Sequence, residues 1–391
     1  MTTSKDKRVE LNNNHNVYLL GAGFSAFRGL PLMHNFMHRM RDAYDFMVLN
    51  QRNEEATAIA RVLEFRRDSA AAAYLINLDL ENIEELFSLA SVLGEDYSID
   101  MRLAIAATLS YSQEISNEPH FTIQHELSRP FTFPRHWRPA PASRGSTNNY
   151  NYLRAPSYEV LVNGLLGQFG SGCSPSNNSL LSFNYDLLVE TALSALGEKF
   201  SYGFDSSQET HQDQLGCLSH EQTSSLKLLK LHGSMNWSTN PNTGTFEIFE
   251  SYEKLRAHSR VPHLIPPTWR KSFTPALQSV WKEAISSIRA ATRLIVIGLS
   301  IRPADLHLKY LLAAGLRNNL SLREIVFFDP AEAALKTQVD QLFSDVGRLP
   351  AVKVFDRRAE TLISPGTGPA TMAEYGRQLS RAISSIDREL G

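Results

Sequence analysis

Residues 17–31 read VYLLGAGFSAFRGLP, and this stretch decides the fold. Four apolar residues, Val17 to Leu20, run directly into Gly21-Ala22-Gly23. A short apolar run closed by glycine is the pattern of a buried strand. From Ser25 onward Phe27, Leu30, Met33, Phe36, Met37 and Met40 recur at helical spacing, which predicts a helix within a few residues. Strand, glycine turn and helix start make a geometry that binds pyrophosphate. Glycine lets the backbone come close, and free N–H groups at the helix end face the anion. Gly21, Ala22 and Gly23 form the candidate cradle, and Ser25 adds a hydroxyl donor. The same string also serves as a tight strand-to-helix turn without a ligand, and alone it does not separate the two readings.

Downstream the pattern stays helical. Residues 53–75, 81–93 and 99–112 carry apolar side chains at three-to-four spacing, and the acidic start of 81–93 suits a helix N-terminus. A dinucleotide-binding unit needs a second strand about 20 residues on, ending in an acid for the ribose. Asp42 and Asp45 stand at that distance, but inside a helical pattern. The sequence therefore speaks against a Rossmann oxidoreductase and for a helical insertion after the first strand–helix unit.

Residues 116–156 read as a long loop in which Arg129, Arg135, Arg138, Arg144 and Arg154 alternate with Phe131, Phe133, Trp137 and Tyr152. Loops of this length are functional or disordered as a rule. Such interleaving suits nucleic acid, a lid over a phosphorylated ligand, or a docking surface. A formal net charge of −2 gives no support to nucleic acid or an anionic membrane as partner.

From Tyr158 the pattern becomes α/β. Residues 158–169 read as a helix, 180–183 as a strand ending in Asn184-Tyr185-Asp186, and 187–196 as a helix. Further strands are expected at 226–231, ending in His232-Gly233-Ser234, and at 293–297, ending in Gly298-Leu299-Ser300. Two more fall at 324–328, ending in Asp329-Pro330, and at 352–355; an amphipathic helix closes the chain at 372–390. Polar residues thus sit at the carboxyl ends of several buried strands, where open parallel sheets bind ligands. Asn184 and Asp186 also read as helix caps, Asp329-Pro330 as a helix start, and His232 as a structural histidine. Tyr185 and Trp237 read as wall or core residues.

No apolar run reaches the ~18 residues of a spanning helix, and the polar start lacks a signal-peptide core. The cysteines are Cys173 and Cys217. Two cysteines supply neither a disulfide framework nor a four-cysteine zinc site, and fit a reducing, cytoplasmic setting.

GAGFS at 21–25, SFNYD at 182–186, KLHGS at 230–234 and IGLS at 297–300, in that order, resemble the sirtuin superfamily. Within it they are most similar to the sirtuin-like NAD hydrolases of prokaryotic antiphage defence. The resemblance implies an α/β fold with a Rossmann-like parallel sheet of the sirtuin type. Its NAD-binding core would comprise 17–48 and 157–360, with a polar tail at 1–16, a helical insertion plus basic-aromatic loop at 49–156, and a C-terminal helix at 361–391. It implies hydrolysis of NAD, as substrate, to nicotinamide and ADP-ribose. Gly21, Ala22, Gly23 and Ser25 would hold the pyrophosphate. Asn184 would orient the nicotinamide ribose and the attacking group, and Asp186 would bond the nicotinamide amide. His232 would be the catalytic base, Gly298 and Ser300 would touch phosphate or ribose, and Asp329 would hold the adenosine ribose.

Breaking the nicotinamide–ribose bond leaves an oxocarbenium-like centre, for which an enzyme supplies orientation, exclusion of water and a base near neutral pKa. Histidine suits that base. The chain departs from the deacylating sirtuins, which carry a zinc module with two cysteine pairs and a glutamine where Phe183 stands. Their acid, aromatic and arginine are Leu32, Met33 and His34 here, with Arg28 the candidate replacement for the arginine. No metal is therefore expected. The alternatives are a non-catalytic NAD or ADP-ribose sensor and a protein ADP-ribosyltransferase or deacylase. An NAD hydrolase would deplete its own cell unless gated. The resemblance implies a separately encoded partner such as a HerA-type ATPase or a short Argonaute, or a homo-oligomer.

Overall fold

The computed structural model describes residues 15–26, 28–93, 97–117, 158, 162, 165–166, 178–204, 209–212, 226–268, 274–300, 306–329, 337–339, 341–342 and 351–356. The cysteines, residues 118–156 of the basic-aromatic loop and the segment 372–390 lie outside these residues, while 116 and 117, expected in the loop, belong to a helix.

In chain order the strands are β1 (Asn16–Leu20), β2 (Asn178–Ser182), β3 (Phe200–Ser201), β4 (Glu209–Gln212), β5 (Leu226–Lys230) and β6 (Gly233–Ser234). They continue with β7 (Trp237–Thr239), β8 (Phe246–Phe249), β9 (His263–Leu264), β10 (Arg293–Ile297), β11 (Glu324–Asp329) and β12 (Ala351–Asp356). Seven of them form one sheet in the order β12-β11-β10-β1-β2-β5-β3, with every pairing parallel. This is the expected α/β class, a Rossmann-like parallel sheet with a helical insertion after its first strand. β1 lies between β10 and β2, and Val17 to Leu20 are all buried. A strand covered on both faces reads as an unbroken apolar run, which is why VYLL does not alternate.

From β1 the chain builds one side of the sheet through β2, β5 and β3, then returns to build the other through β10, β11 and β12. The strand order therefore reverses beside β1. A crevice outside the carboxyl ends opens at such a reversal, and ligands of open α/β sheets bind there.

The first helix departs from expectation. α1 (Ala22–Ala26) stops after little more than one turn, where Gly29 has φ 82° and Pro31 follows. A 3₁₀ turn at Met33–Asn35 then leads into α2 (Phe36–Leu49). The apolar spacing from Phe36 on is the inner face of α2, with Phe36, Met37, Met40, Ala43 and Met47 buried. The run expected at 53–75 divides at Ser69 into α3 (Asn53–Asp68) and α4 (Ala70–Ile76). α5 (Ile83–Leu93) and α6 (Ser98–Asn117) follow. These helices bury a second hydrophobic cluster, distinct from that of the sheet. Leu187, Met235, Tyr252 and Leu264 belong to this second cluster although they follow the sheet's strands in the chain. The helical layer is thus packed on the loops that leave the strand ends.

The later helices are α7 (Leu188–Ala195), α8 (Tyr252–Ala257), α9 (Pro275–Ala290) and α10 (Leu306–Leu316). α8 is tied to the helical layer by charge: Arg256 pairs with Glu54 and, at 3.4 Å, with Glu55, while Arg52 lies over the Tyr252 ring.

Between β5 and α9 the sequence reading foresaw no strands, yet β7 and β8 pair antiparallel and β6 pairs with β9. Their core is aromatic. Trp237 is fully buried against Tyr202, Phe204 and Phe246, all in edge or tilted contact. Two- to four-residue strands carry too little periodicity to be read from sequence.

His263 in β9 sits edge-on to Phe246, with its ring nitrogens 3.0 Å from Thr274 Oγ1 and 3.3 Å from Thr239 Oγ1. Burial, with Arg102 adding repulsion, pushes its pKa from 6.5 down to about 4. Between those values the unfolded chain binds the proton that the folded chain refuses, so stability falls as pH falls through that window. The loss is on the order of 3 kcal/mol. Replacing His263→Gln removes this dependence. Urea midpoints of the wild type are expected to drop more than those of the variant between about pH 6.5 and 4; parallel slopes would contradict it.

Candidate functional site

The ladder of the sheet continues one residue past each central strand. Gly21 N–H donates to the Ile297 carbonyl at 3.0 Å, Phe183 N–H to Leu20 at 2.9 Å, Leu231 N–H to Ser182 at 2.9 Å and Gly298 N–H to Phe328 at 3.1 Å. The strand ends are therefore level, and Gly21, Asn184, His232 and Gly298 leave the sheet side by side.

Asn184 joins three of these segments. Its Nδ2 donates to the Gly21 carbonyl at 2.8 Å and to Ser25 Oγ at 3.1 Å. A carbonyl only accepts, so the amide nitrogen must face Gly21 and the orientation of the carboxamide is fixed. Among the described residues no donor reaches Asn184 Oδ1. Ser25, itself buried, donates to Asp186 Oδ2 at 2.9 Å. Asp186 Oδ1 accepts the Leu188 N–H at 3.1 Å, at the start of α7. The N-cap of α7 is Leu187, so Asp186 stands one position before the cap, where its carboxylate holds both the Leu188 N–H and Ser25. Asp186 is only 4% exposed.

His232 is half-buried between two rings from the end of β2. Phe183 meets it edge-on at 5.1 Å and Tyr185 lies 6.3 Å away at 33°. Tyr185 is itself pinned, its hydroxyl donating to the Ile265 carbonyl at 2.5 Å. The histidine ring therefore has aromatic walls on these two sides. The residue after it has to be glycine. Gly233 has φ 84°, and a Cβ there would collide with the backbone of His263 and Leu264 in β9.

The glycine turn differs from the expected anion cradle. Gly23 N–H donates to the Gly298 carbonyl at 2.9 Å and Phe24 N–H to Gly21 at 2.9 Å. With Gly21 N–H on Ile297, the groups expected to stand free at Gly21 and Gly23 have protein acceptors. Two backbones touch here. A Cβ on Gly21 or Gly298 would overlap the opposite turn, and Gly298 has φ 61°. Ala22 and Ser300 are exposed on either side, with Gly23 and Gly298 partly so. Asp329 ends β11 opposite Asp356, two strands from β1.

Two contributors were missed by sequence reasoning. Tyr158 is buried edge-on to Phe24 at 5.2 Å. Burial and then the Asp186 charge push its phenol well up, against the pull of Ser25 and Arg28. Lys230, the last residue of β5, is buried on Glu190 of α7 at 2.9 Å. A lysine in the apolar strand LKLLK was the available signal. Among the described residues no group of three His, Cys, Asp or Glu side chains is placed to hold a metal ion, and no helix is long and apolar enough to cross a membrane.

Residues 178–345 match the family model of the SIR2-like domain. This stretch is similar to that family. Asn184, Asp186, His232, Gly298, Ser300 and Asp329 all fall within it, whereas the glycine turn and the helical insertion precede it. Solved structures similar to the whole chain include a Sir2 enzyme from work on the mechanism and regulation of Sir2 enzymes, at 12% identity and TM-score 0.40, covering 95% of this chain and 94% of that one. Sir2Tm bound to a propionylated peptide is similar at 13% identity and TM-score 0.36, over 96% and 95% of the two chains. A Sir2 homologue in complex with NAD is similar at 14% identity and TM-score 0.37, over 94% and 90%. At these scores no residue of those proteins is placed on a residue of this one. Comparison with curated proteins gave no match.

The contact of the two glycine turns makes a testable demand. Gly298→Ala adds a methyl where there is no room and strains a positive φ, so it should destabilise by about 2–4 kcal/mol. Gly244 has φ 72° with nothing within 4 Å. Gly244→Ala should therefore cost only the strain, about 1–2 kcal/mol. Chemical denaturation measures both, and equal losses would contradict the interlock.

Proposed function

We propose that the strand-end site cleaves NAD to nicotinamide and ADP-ribose. One observation carries this reading: a half-buried histidine and an oriented carboxamide leave adjacent strands of the SIR2-like stretch, beside the reversal in strand order. Nicotinamide leaves NAD as a neutral molecule, because the electrons of the broken C1′–N bond neutralise its ring nitrogen. No general acid is needed. Water bonds to C1′, and its proton passes to a base. His232 takes that proton, directly or through a ribose hydroxyl. Asn184, held by Gly21 and Ser25, turns its Oδ1 toward the ribose and fixes the attacking geometry. Asp186 keeps Ser25 and the turn in place and presents its edge to the nicotinamide amide.

The diphosphate lies across the turns of Gly21–Gly23 and Gly298, with Ser300 as hydroxyl donor and Asp329 toward the adenosine ribose, while Ser25, whose one hydroxyl proton goes to Asp186, shapes the turn from beneath. Because Gly23 N–H is bonded to Gly298, phosphate must take that hydrogen bond in exchange or settle against the exposed Ala22 and Ser300.

The motif resemblance supports a role as the effector of an antiphage defence system that works by depleting NAD in the cytoplasm. Activity is then gated by assembly, either with further copies of the chain or with a partner such as a HerA-type ATPase or a short Argonaute.

Asn184→Ala and His232→Ala should each fold and lose NAD cleavage by about 10²–10⁴-fold, the usual cost of losing a general base or its positioning. Nicotinamide release from NAD, with no acceptor protein present, is the readout. Full turnover by either folded variant would refute the assignment. Tight ADP-ribose binding without any release by the wild type in every assembly state would favour a sensor.

A further inference from the structure

Beneath the proposed site lies an ion pair that the reaction leaves unused. Lys230 is 1% exposed and Glu190 not at all, with Nζ and Oε1 2.9 Å apart. Burial pushes the Glu190 carboxyl up, and Lys230 draws it back. Tyr202 donates to the same Oε1 at 3.3 Å, while Glu190 Oε2 has no hydrogen-bond partner among the described residues. Taking two charges out of water is costly, and an apolar pair of similar volume commonly serves stability as well or better. Stability alone is thus a poor reason for this pair.

The second bond of Lys230 supplies a better one. Its Nζ also donates to the backbone carbonyl of Asp186. An ammonium has three donors that serve a carboxylate and a carbonyl at once. Asp186 is therefore gripped at both ends: its side chain by Ser25 and Leu188 N–H, its peptide by Lys230. The turn so gripped carries Asn184.

We propose that Lys230, oriented by Glu190, is a positioning residue that clamps the Asp186 peptide and so sets Asn184 and Asp186 for the reaction. The catalytic consequence rests on the NAD-cleaving reading; the structural one does not.

The test uses the full chain and two variants. Lys230→Met with Glu190→Leu replaces the pair by apolar side chains of similar volume, and Glu190→Gln keeps the shape while loosening the hold on Lys230. Hydrogen–deuterium exchange over 183–188 and NAD turnover by folded protein are measured together. In the double variant, exchange of this segment should rise at least about tenfold with β1 and β10 unchanged. Its kcat should fall about 10- to 100-fold with KM within about threefold, as for misplaced catalytic groups. Glu190→Gln should lie between, and decides the matter if the double variant does not fold. Unchanged exchange in 183–188, or faster exchange with wild-type kcat, would overturn the proposal. If the wild type cleaves no NAD, the cleavage reading fails by itself, and exchange alone decides whether Lys230 clamps the turn.

Discussion

Backbone meets backbone where the turn after β1 crosses the turn after β10, and everything at the strand ends is placed by that contact. Gly23 N–H on the Gly298 carbonyl, at 2.9 Å, closes the gap between β1 and β10 beyond the last ladder bond. Only residues without a Cβ approach so closely. With this seam shut, the Gly21 carbonyl points toward β2, where Asn184 takes it at 2.8 Å. Asn184 in turn meets Ser25, and Ser25 meets Asp186. The glycines are thus explained first by packing, and any ligand uses a surface that packing has already shaped.

The helical layer gives this surface its surroundings. Leu187 follows Asp186, Met235 follows the His232-Gly233-Ser234 turn, and both are buried among the helices rather than under the sheet. Movement of the layer would therefore be felt at the residues proposed to act on NAD. Ion pairs from Arg52 and Arg256 to Glu55 bind α3 and α8 into the same layer.

The sheet was legible because buried parallel strands leave unbroken apolar runs ended by glycine or polar residues. The strand expected at 293–297 is β10 residue for residue, and Leu180, Leu181 and Ser182 fall in β2. The first helix was misjudged because α1 and α2 share an apolar phase across the break at Gly29, so spacing alone joined them. The strands from β6 to β9 were missed because each is too short for a period to show. Within the site, residue types at strand ends pointed to Asn184, Asp186 and His232. The bonds linking Asn184 to Ser25 and Lys230 to Asp186 span 159 and 44 positions, and pairings at such separation leave no local trace. The free N–H groups expected at Gly21 and Gly23 fail for the same reason, since their acceptors lie on the last residue of β10 and on Gly298 just past it.

A structure of the chain with a non-cleavable carbocyclic analogue of NAD tests the central claim most directly. The account places the nicotinamide-bearing ring between Asn184 Oδ1 and the His232 imidazole, with the diphosphate over the joined turns of Gly21–Gly23 and Gly298. An analogue bound with that ring beyond hydrogen-bond reach of both Asn184 and His232 would contradict it.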